Sequence, residues 1–232
     1  MPTKTLIELK KVKFRYPGNS KLTLNIEDLT ITKSEKIFIF GPSGTGKTTL
    51  LEVLSGVLVP EEGLVIISGT ELRFLTDTQR DRFRSETMGF VFQGLNLLPY
   101  LNVQENIELP LKLRGIDPQR DSEFQKLFNR LVECLGILEI LQKSVTQISV
   151  GQQQRVAVAR ALLGKPQILF ADEPTSSLDY DNREKFLKLL FELSNEIGTT
   201  VLFVSHDRSL QPLFDRTIDF MNLNYINQGQ ET

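Results

Sequence analysis

Apolar and polar residues alternate along two segments near the start of the chain, residues 6–14 and 22–31. This period of two is typical of half-buried antiparallel strands, whose successive side chains point to opposite faces of a sheet. Between the segments lie Tyr16, Pro17, Gly18 and Asn19, which have the composition of a turn. The pattern therefore predicts an antiparallel β part at the start of the fold.

Later segments are short, mainly apolar runs: 36–40, 64–67, 88–92, 168–171 and 200–204. Such runs favour strands that are covered on both faces, as in a parallel sheet. They alternate with helical patterns, of which residues 47–54 are the first. This alternation indicates an α/β layered core with crossover connections.

The middle of the chain carries no strand pattern between about residues 103 and 167. Asp117 can cap a helix that begins at Pro118, carries apolar residues at helical spacing and ends at Gly136. We therefore predict a single domain over residues 1–232. Residues 1–92 and 168–232 form its α/β core with the antiparallel part, and about residues 93–167 form an inserted helical subdomain.

Composition excludes several classes of function. The formal net charge is −2, whereas proteins that bind the phosphate backbone of nucleic acids usually carry an excess of basic residues. No nucleic acid partner is therefore expected. The one cysteine, Cys134, rules out an internal disulfide or a cysteine zinc site, and we expect it in the core of the helical subdomain. The one histidine, His206, rules out an HExxH metalloprotease.

No run of the sequence approaches the roughly 18 apolar residues of a membrane helix. Charged residues interrupt the start of the chain before a secretory signal can form. Any membrane role must then come from a partner.

A glycine-rich segment between the strand at 36–40 and the helix at 47–54 satisfies the pattern GxxxxGK[ST]. A strand before it and a helix after it are the context that identifies a P-loop, in which backbone N–H groups converge on phosphate oxygens. Lys47 is expected to reach the β- and γ-phosphates, and the hydroxyl of Thr48 to bind Mg²⁺. The candidate phosphate-binding residues are Gly41, Pro42, Ser43, Gly44, Thr45, Gly46, Lys47, Thr48 and Thr49.

Two carboxylates, Asp172 and Glu173, follow the apolar run at 168–171. The carboxyl ends of strands are where α/β sheets place their ligands. Asp172 is expected to hold Mg²⁺, and Glu173 to polarise the attacking water as general base. Alone, the pair has an alternative interpretation as the end of a strand or the cap of the next helix.

A second helix N-terminus follows Ser149, Val150, Gly151 and Gln152, because residues 156–163 are strongly helical. Ser149 can cap this helix, and Gly151 allows close approach of a backbone, so the segment is a second candidate anion site. One nucleotide does not require two such sites in one chain. The alternative is that Ser149 only caps the helix and the segment binds no anion.

The order of these features resembles the nucleotide-binding subunit of an ATP-binding cassette (ABC) transporter, from Tyr16 to about Asp207. The resemblance implies a P-loop NTPase core with a mixed, mainly parallel sheet, an antiparallel β subdomain and an inserted helical subdomain. It also implies a head-to-tail dimer, in which Ser149, Gly151 and Gln152 of one subunit face the γ-phosphate of ATP held by the P-loop of the other.

The resemblance gives roles to four further residues. Tyr16 matches the aromatic residue that stacks on adenine, and its alternative is a packed tyrosine at a strand end. Gln93 matches the glutamine that contacts Mg²⁺ and links the site to the helical subdomain. Asp179 matches the acidic residue of the loop that crosses the dimer interface, and His206 matches the histidine that contacts the γ-phosphate.

One position departs from the family pattern, which usually reads Leu-Ser-Gly-Gly-Gln where this chain has Ile148, Ser149, Val150, Gly151 and Gln152. Val150 is β-branched and disfavours a positive φ. If this position needs glycine's freedom, the segment is impaired. Because Ser149 and Gly151 are retained, we expect function with an altered rate.

Residues 92–107 and the following Leu109-Pro110-Leu111 are similar to the LolD-like and MacB-like group for lipoprotein release and macrolide export, and to the cell-division relative FtsE. Leu97, Leu98 and Leu101 either dock a helix of a membrane subunit or pack internally. The resemblance implies an ATPase that dimerises, or pairs with another ATPase subunit, around two ATP and drives a separate integral membrane permease, for export or for lipoprotein or peptide extraction. It implies a peripheral location at the cytoplasmic, inner face of the membrane. A regulator of an envelope or division complex is the alternative, and a DNA- or ribosome-directed ABC ATPase is a third class.

Overall fold

The computed structural model describes residues 4–175 and 180–226. The chain divides into two compact units, the first formed by Met1–Arg84 with Leu202–Thr232 and the second by Ser85–Val201. The predicted helical subdomain, residues 93–167, falls within the second unit. Its boundaries stay a prediction.

The first unit contains an antiparallel sheet of four strands. These strands are β1 (Thr5–Phe14), β2 (Leu24–Thr32), β4 (Glu62–Ile67) and β5 (Thr70–Glu71). Their order across the sheet is β2-β1-β4-β5. Leu9 lies opposite Leu29 on one side and Val65 on the other, and all three side chains are buried. The predicted antiparallel pair of residues 6–14 and 22–31 is therefore confirmed.

The expectation for residues 64–67 is wrong, because β4 pairs antiparallel with β1 and is no part of a parallel sheet. Four apolar residues in a row suggested a strand covered on both faces. In the structure only Val65 and Ile67 are buried, while Leu64 and Ile66 stay partly exposed. The run is a strand with one buried face whose outer face is also apolar.

The first unit also holds parallel strands: β3 (Lys36–Phe40), β8 (Thr200–Ser205) and β9 (Arg216–Asp219). Their order is β8-β3-β9, and β3 pairs parallel with β9. The division between the units falls within β8. The helices are α1 (Lys47–Leu54), α2 (Asp77–Thr87), in which the division also falls, and α7 (Phe220–Leu223). Phe38, Phe203 and Phe214 pack together with ring centroids 5.1 to 6.2 Å apart. This aromatic cluster anchors β3, the strand that leads into the glycine-rich segment.

The second unit packs helices with a parallel pair of strands, β6 (Met88–Val91) and β7 (Ile168–Asp172). Its helices are α3 (Val103–Leu113), α4 (Ser122–Cys134), α5 (Val150–Leu163) and α6 (Tyr180–Ile197). From Val156 to Leu163 every residue of α5 is buried, and α3 and α4 both pack against this helix. Helix α5 is thus the centre of this unit.

Helix α4 begins four residues later than predicted. The side chain of Asp121, not that of Asp117, accepts hydrogen bonds from the first turn, at Glu123 N and Phe124 N. Asp117 instead accepts from Gln119 N in a separate turn. Both aspartates suit an N-cap, and the turn decides between them. The end of the helix agrees with the prediction, since Gly136 adopts φ 62° two residues after Cys134.

Cys134 is half-buried at the end of α4, so its prediction as a core residue is wrong. It occupies the last helical position, next to the buried Leu135.

In the described part of the chain, no helix combines the length and the apolar character that crossing a bilayer requires.

Candidate nucleotide-binding site

The glycine-rich segment joins β3 to α1, as predicted, and α1 begins at Lys47. Gly46 is the N-cap and adopts a left-handed conformation with φ 106°. A Cβ at this position would lie 3.1 Å from the carbonyl oxygen of Thr23, so both conformation and space favour glycine. Gly44 also has a positive φ, of 78°. Two glycines of the segment thus adopt conformations that residues with a side chain rarely take.

Lys47 is buried, and its ammonium group donates to the carbonyl oxygens of Gly41 and Pro42, each at 2.7 Å. Thr45 donates its hydroxyl to the same Pro42 oxygen at 2.9 Å. Neighbouring Ser43, Gly44 and Thr48 are exposed. The positive charge is thus held against the backbone of the loop, beside residues that solvent or a ligand can reach.

Tyr16 is attached to the first turns of α1. Its hydroxyl shares a hydrogen bond with the Thr49 hydroxyl at 3.0 Å and donates to Glu52 at 3.1 Å. Its ring packs edge-on against Phe14, with centroids 5.0 Å apart. These contacts fix the half-exposed ring beside the helix that follows the glycine-rich segment. His206, the other predicted residue of this unit, directly follows β8 and is exposed.

The second unit carries the predicted carboxylates. Asp172 ends β7, and both Asp172 and Glu173 are half-buried. Glu173 has φ 46°, a left-handed conformation that is uncommon for a residue with a side chain. Backbone strain of this kind collects at functional sites, where the surrounding structure holds it. Gln154, buried on α5, donates to the carbonyl oxygen of Pro174 at 2.9 Å and so holds the segment behind Glu173.

Helix α5 also holds the loop that follows Gln93. The Arg160 guanidinium donates to the carbonyl oxygens of Leu95 and Asn96, each at 2.6 Å. Both of these residues adopt left-handed φ values, 57° and 47°. Only 9% of Arg160 is exposed, and this burial lowers the pKa of its side chain. Arg160 thus fixes a tight turn next to the exposed Gln93.

The rest of this loop is held by Asn106 on α3, which is fully buried. Its side-chain oxygen accepts from Leu98 N at 2.8 Å, and its amide group donates to the carbonyl oxygens of Leu98 and Leu101 at 3.1 and 3.2 Å. Leu97, Leu98 and Leu101 are half-buried, whereas 77% of Tyr100 is exposed. The loop is therefore pinned from inside and presents an aromatic side chain outward.

Ser149 caps α5 through a reciprocal pair of bonds. Its hydroxyl accepts from Gln152 N at 3.3 Å, and its own N–H donates to the Gln152 side chain at 3.0 Å. Beside this N-terminus lies a groove of about 370 Å³, with Arg155 and Lys185 in its lining. The first turn of α5 carries no acidic residue, so the positive end of the helix dipole and two basic side chains favour an anion here.

Val150 does not require the backbone freedom of glycine. It is the first residue of α5, its φ is not among the positive values, and 51% of it is exposed. Apart from its chain neighbours and the backbone of its own helix, no described atom lies within 4 Å of a Cβ added at the following Gly151. The β-branched side chain is thus compatible with this helix start.

The sequence-predicted residues lie in both units. Tyr16, residues 41–49 and His206 belong to the first unit; Gln93, Ser149, Gly151, Gln152, Asp172 and Glu173 belong to the second. Within the second unit, α5 connects the loop of Gln93, the carboxylate segment and the segment of Ser149. Asp179 lies outside the described residues. The roles of all these sequence-predicted residues toward a nucleotide stay predictions.

Sequence analysis missed Gln154 and Arg160. Arg160 had a signal, since it is the one charged residue between Val156 and Leu163 in an otherwise apolar helix, and a buried charge must find partners. Gln154 had no such signal in the sequence, because its bond to Pro174 joins residues 20 positions apart.

Comparison with known proteins decides the family. The model of the ABC transporter family matches residues 24–176, which include the glycine-rich segment and both carboxylates. The chain belongs to the ABC transporter family. The lipoprotein-releasing system ATP-binding protein LolD of Bacteroides fragilis is 38% identical over 199 residues, which are 86% of this chain and 91% of the relative. The uncharacterized ABC transporter ATP-binding protein YbbA of Escherichia coli K12 is 39% identical over 225 residues, 96% of this chain and 97% of the relative.

A solved ABC cassette has the same fold. The cassette MJ0796 of Methanocaldococcus jannaschii, in a dimeric post-hydrolysis state bound to ADP and Pi, gives a TM-score of 0.81 at 35% identity. The match covers 92% of this chain and 94% of the other. The predicted α/β cassette fold, with antiparallel and parallel sheet parts and helices, is therefore confirmed.

Proposed function

We propose that the chain is the ATP-binding and ATP-hydrolysing subunit of an ABC transporter. The observation that carries the proposal is the glycine-rich segment of this ABC-family chain, where Gly46 is left-handed and closely packed and Lys47 is buried against the loop. Such a loop binds phosphate by directing backbone N–H groups and a helix N-terminus at its oxygens. The relative MJ0796 binds ADP and Pi in its post-hydrolysis state.

Binding of the triphosphate uses the first unit. Backbone N–H groups of residues 43–48 surround the phosphates, and Lys47 exchanges a carbonyl partner for a phosphate oxygen. This exchange is favourable because a bond between two charged groups is stronger than a bond to a neutral carbonyl. Tyr16, anchored by Thr49 and Glu52, offers its ring face to adenine.

Hydrolysis uses Glu173 as the general base for the attacking water and His206 as a hydrogen-bond donor to the γ-phosphate. Glu173 is held in a left-handed conformation at the end of β7, with Pro174 fixed by Gln154. This arrangement holds the backbone that carries the carboxylate before substrate arrives. Positioning is the main contribution of a protein to phosphoryl transfer.

The side chains proposed for Mg²⁺ suit that ion. Thr48, Gln93 and Asp172 offer a hydroxyl, an amide and a carboxylate oxygen, and Mg²⁺ prefers oxygen ligands. Among residues 4–175 and 180–226, no cluster of three or more histidine, cysteine or acidic side chains forms a metal cage. A site of one carboxylate plus substrate phosphates is the usual arrangement for Mg²⁺. When bound, the ion would neutralise charge on the β- and γ-phosphates.

Closure of two subunits around two ATP gives the N-terminus of α5 its role. Ser149, Gly151 and Gln152, with the basic groove beside them, meet the γ-phosphate bound by the partner subunit. Asp179 belongs to the loop that crosses this interface. The dimeric state of the relative MJ0796 supports the arrangement.

A membrane permease is the second partner. Tyr100 and the half-buried leucines of the pinned loop after Gln93 are the surface that we assign to it. The relative LolD is the ATP-binding protein of a lipoprotein-releasing system, which supports export or extraction of a lipoprotein or peptide. The chain then works at the cytoplasmic face of the membrane, bound through the permease.

The experiment compares the wild-type chain with Lys47→Ala and with the control Lys33→Ala, whose side chain is exposed on the turn after β2. Wild type and control are expected to bind ATP and release phosphate, whereas Lys47→Ala binds ATP at least about tenfold more weakly. Absence of phosphate release by wild type, alone and with its co-purified membrane partner, would overturn the proposal. ATP-dependent release of a lipid-linked substrate from vesicles that contain the complex distinguishes transport from the regulatory alternative.

A further inference from the structure

Asn224 lies directly after α7, and only 5% of it is exposed. Its side-chain oxygen accepts from Asn25 N at 2.7 Å. Its amide group donates to the carbonyl oxygen of Thr23 at 3.0 Å and, in a longer bond, to that of Thr45 at 3.4 Å. One buried side chain thus joins the start of β2 to the glycine-rich loop through backbone atoms alone.

The bond to Thr45 acts on a peptide group of the phosphate-binding loop. The carbonyl of Thr45 and the N–H of Gly46 belong to the same peptide unit, which is planar and trans, so they point in opposite directions. Holding the oxygen on the side of Asn224 therefore turns the Gly46 N–H to the opposite side of the loop. Gly46 is also close to Thr23, whose oxygen Asn224 holds as well.

The other end of the loop meets the same C-terminal segment. Phe220, the first residue of α7, is fully buried, and its Cβ lies 3.1 Å from where a Cβ of Gly41 would stand. Asp219 accepts from Met221 N at 3.0 Å and caps this short helix. Residues 219–224 therefore contact the loop at Gly41 and at Thr45.

We propose that Asn224 is a positioning residue for nucleotide binding, which orients the Gly46 N–H toward the phosphates through the carbonyl of Thr45. The proposal deepens the function proposed above and rests on it. Asn224 touches no reacting atom. Its loss leaves the chemistry of the bound nucleotide in place and weakens the binding that precedes it.

Asn224→Asp tests this assignment, with Asn222→Asp as the matched control. The aspartate retains an acceptor for Asn25 N but replaces the donating amide by a carboxylate that repels the oxygens of Thr23 and Thr45. Asn222 is exposed on α7, two residues away, and receives the same change of charge. Binding of a fluorescent ATP analogue with Mg²⁺ is measured well below the unfolding temperature of each variant.

The expected result is a Kd about tenfold higher for Asn224→Asp, because the Gly46 N–H is no longer held toward the phosphates, and a Kd within twofold of wild type for Asn222→Asp. KM rises by a similar factor while kcat at saturating ATP changes less than about twofold. The amide resonance of Gly46 shifts in the Asn224 variant alone. A merely structural role would lower the unfolding midpoint and leave Kd and KM unchanged.

Asn224→Ala is measured in parallel, because it removes the bonds without introducing a charge and keeps the test informative if the aspartate unfolds the chain. A Kd within twofold of wild type for every folded Asn224 variant would overturn the proposal. Failure of wild type to bind ATP would instead contradict the proposed function, so the two outcomes are distinguishable.

Discussion

Replacement of Arg160 by methionine removes the charge that holds the turn after Gln93 and keeps most of the side chain's volume. Two hydrogen bonds from the guanidinium to buried carbonyls, each 2.6 Å long, are lost. A bond that involves a charged group contributes about 1.5–3 kcal/mol, which gives about 3–6 kcal/mol for the pair. Burial of the charge, which lowers the pKa of Arg160, offsets part of this. We therefore expect the free energy of unfolding to fall by about 2–4 kcal/mol.

The assay is urea unfolding followed by far-UV circular dichroism, since the chain has no tryptophan. Arg155→Met is the matched control on the same helix, because Arg155 is exposed and donates one bond, to the carbonyl oxygen of Leu135 at 3.0 Å. Its expected loss is below about 1 kcal/mol. Hydrogen exchange of residues 94–97 should accelerate in Arg160→Met alone. Equal losses in the two variants would refute the role assigned to Arg160.

Three further substitutions test the nucleotide site. Val150→Gly is expected to change steady-state ATPase activity less than about tenfold, because Val150 already adopts the helical conformation; a change of several hundredfold would show the position to be critical. Tyr16→Ala should raise the Kd for ATP about fivefold or more and Tyr16→Phe less than threefold, if the ring stacks on adenine; equal effects would assign the binding to the hydroxyl. Gly46→Ala should weaken ATP binding at least about tenfold, since its Cβ meets Thr23 and its φ is 106°. Unchanged binding would contradict the geometry of the loop.

Local signals predicted the elements whose boundaries depend on near neighbours. Helix α1 follows its glycine-rich segment, and Ser149 caps α5 as its position beside a helical run indicates. These features involve residues within about four positions, which a periodic pattern and a capping rule describe. The same rules did not distinguish Asp121 from Asp117, because either aspartate suits a cap and the intervening turn decides.

Contacts between distant parts of the chain could not be predicted in this way. The run at 64–67 resembled a strand buried on both faces, and its pairing with β1, more than 50 residues earlier, determines that it is half-exposed. Arg160 meets Leu95 across 65 positions and Asn224 meets Thr23 across 201. No periodic pattern of apolar and polar residues indicates these bonds, although the charge of Arg160 in an apolar helix showed that it required a partner. The residues that orient the candidate site are thus less visible than those proposed to touch the nucleotide.

The most direct measurement of the central claim is the mass and nucleotide content of Glu173→Gln in the presence of Mg²⁺ and ATP. Without its general base the chain should bind ATP, turn over at most about 1% as fast as wild type, and accumulate as a dimer that retains two ATP. Light scattering after gel filtration gives the mass, and chromatography of the extracted nucleotide gives the stoichiometry. A variant that remains monomeric with ATP bound, or that hydrolyses ATP at half the wild-type rate, would contradict the account.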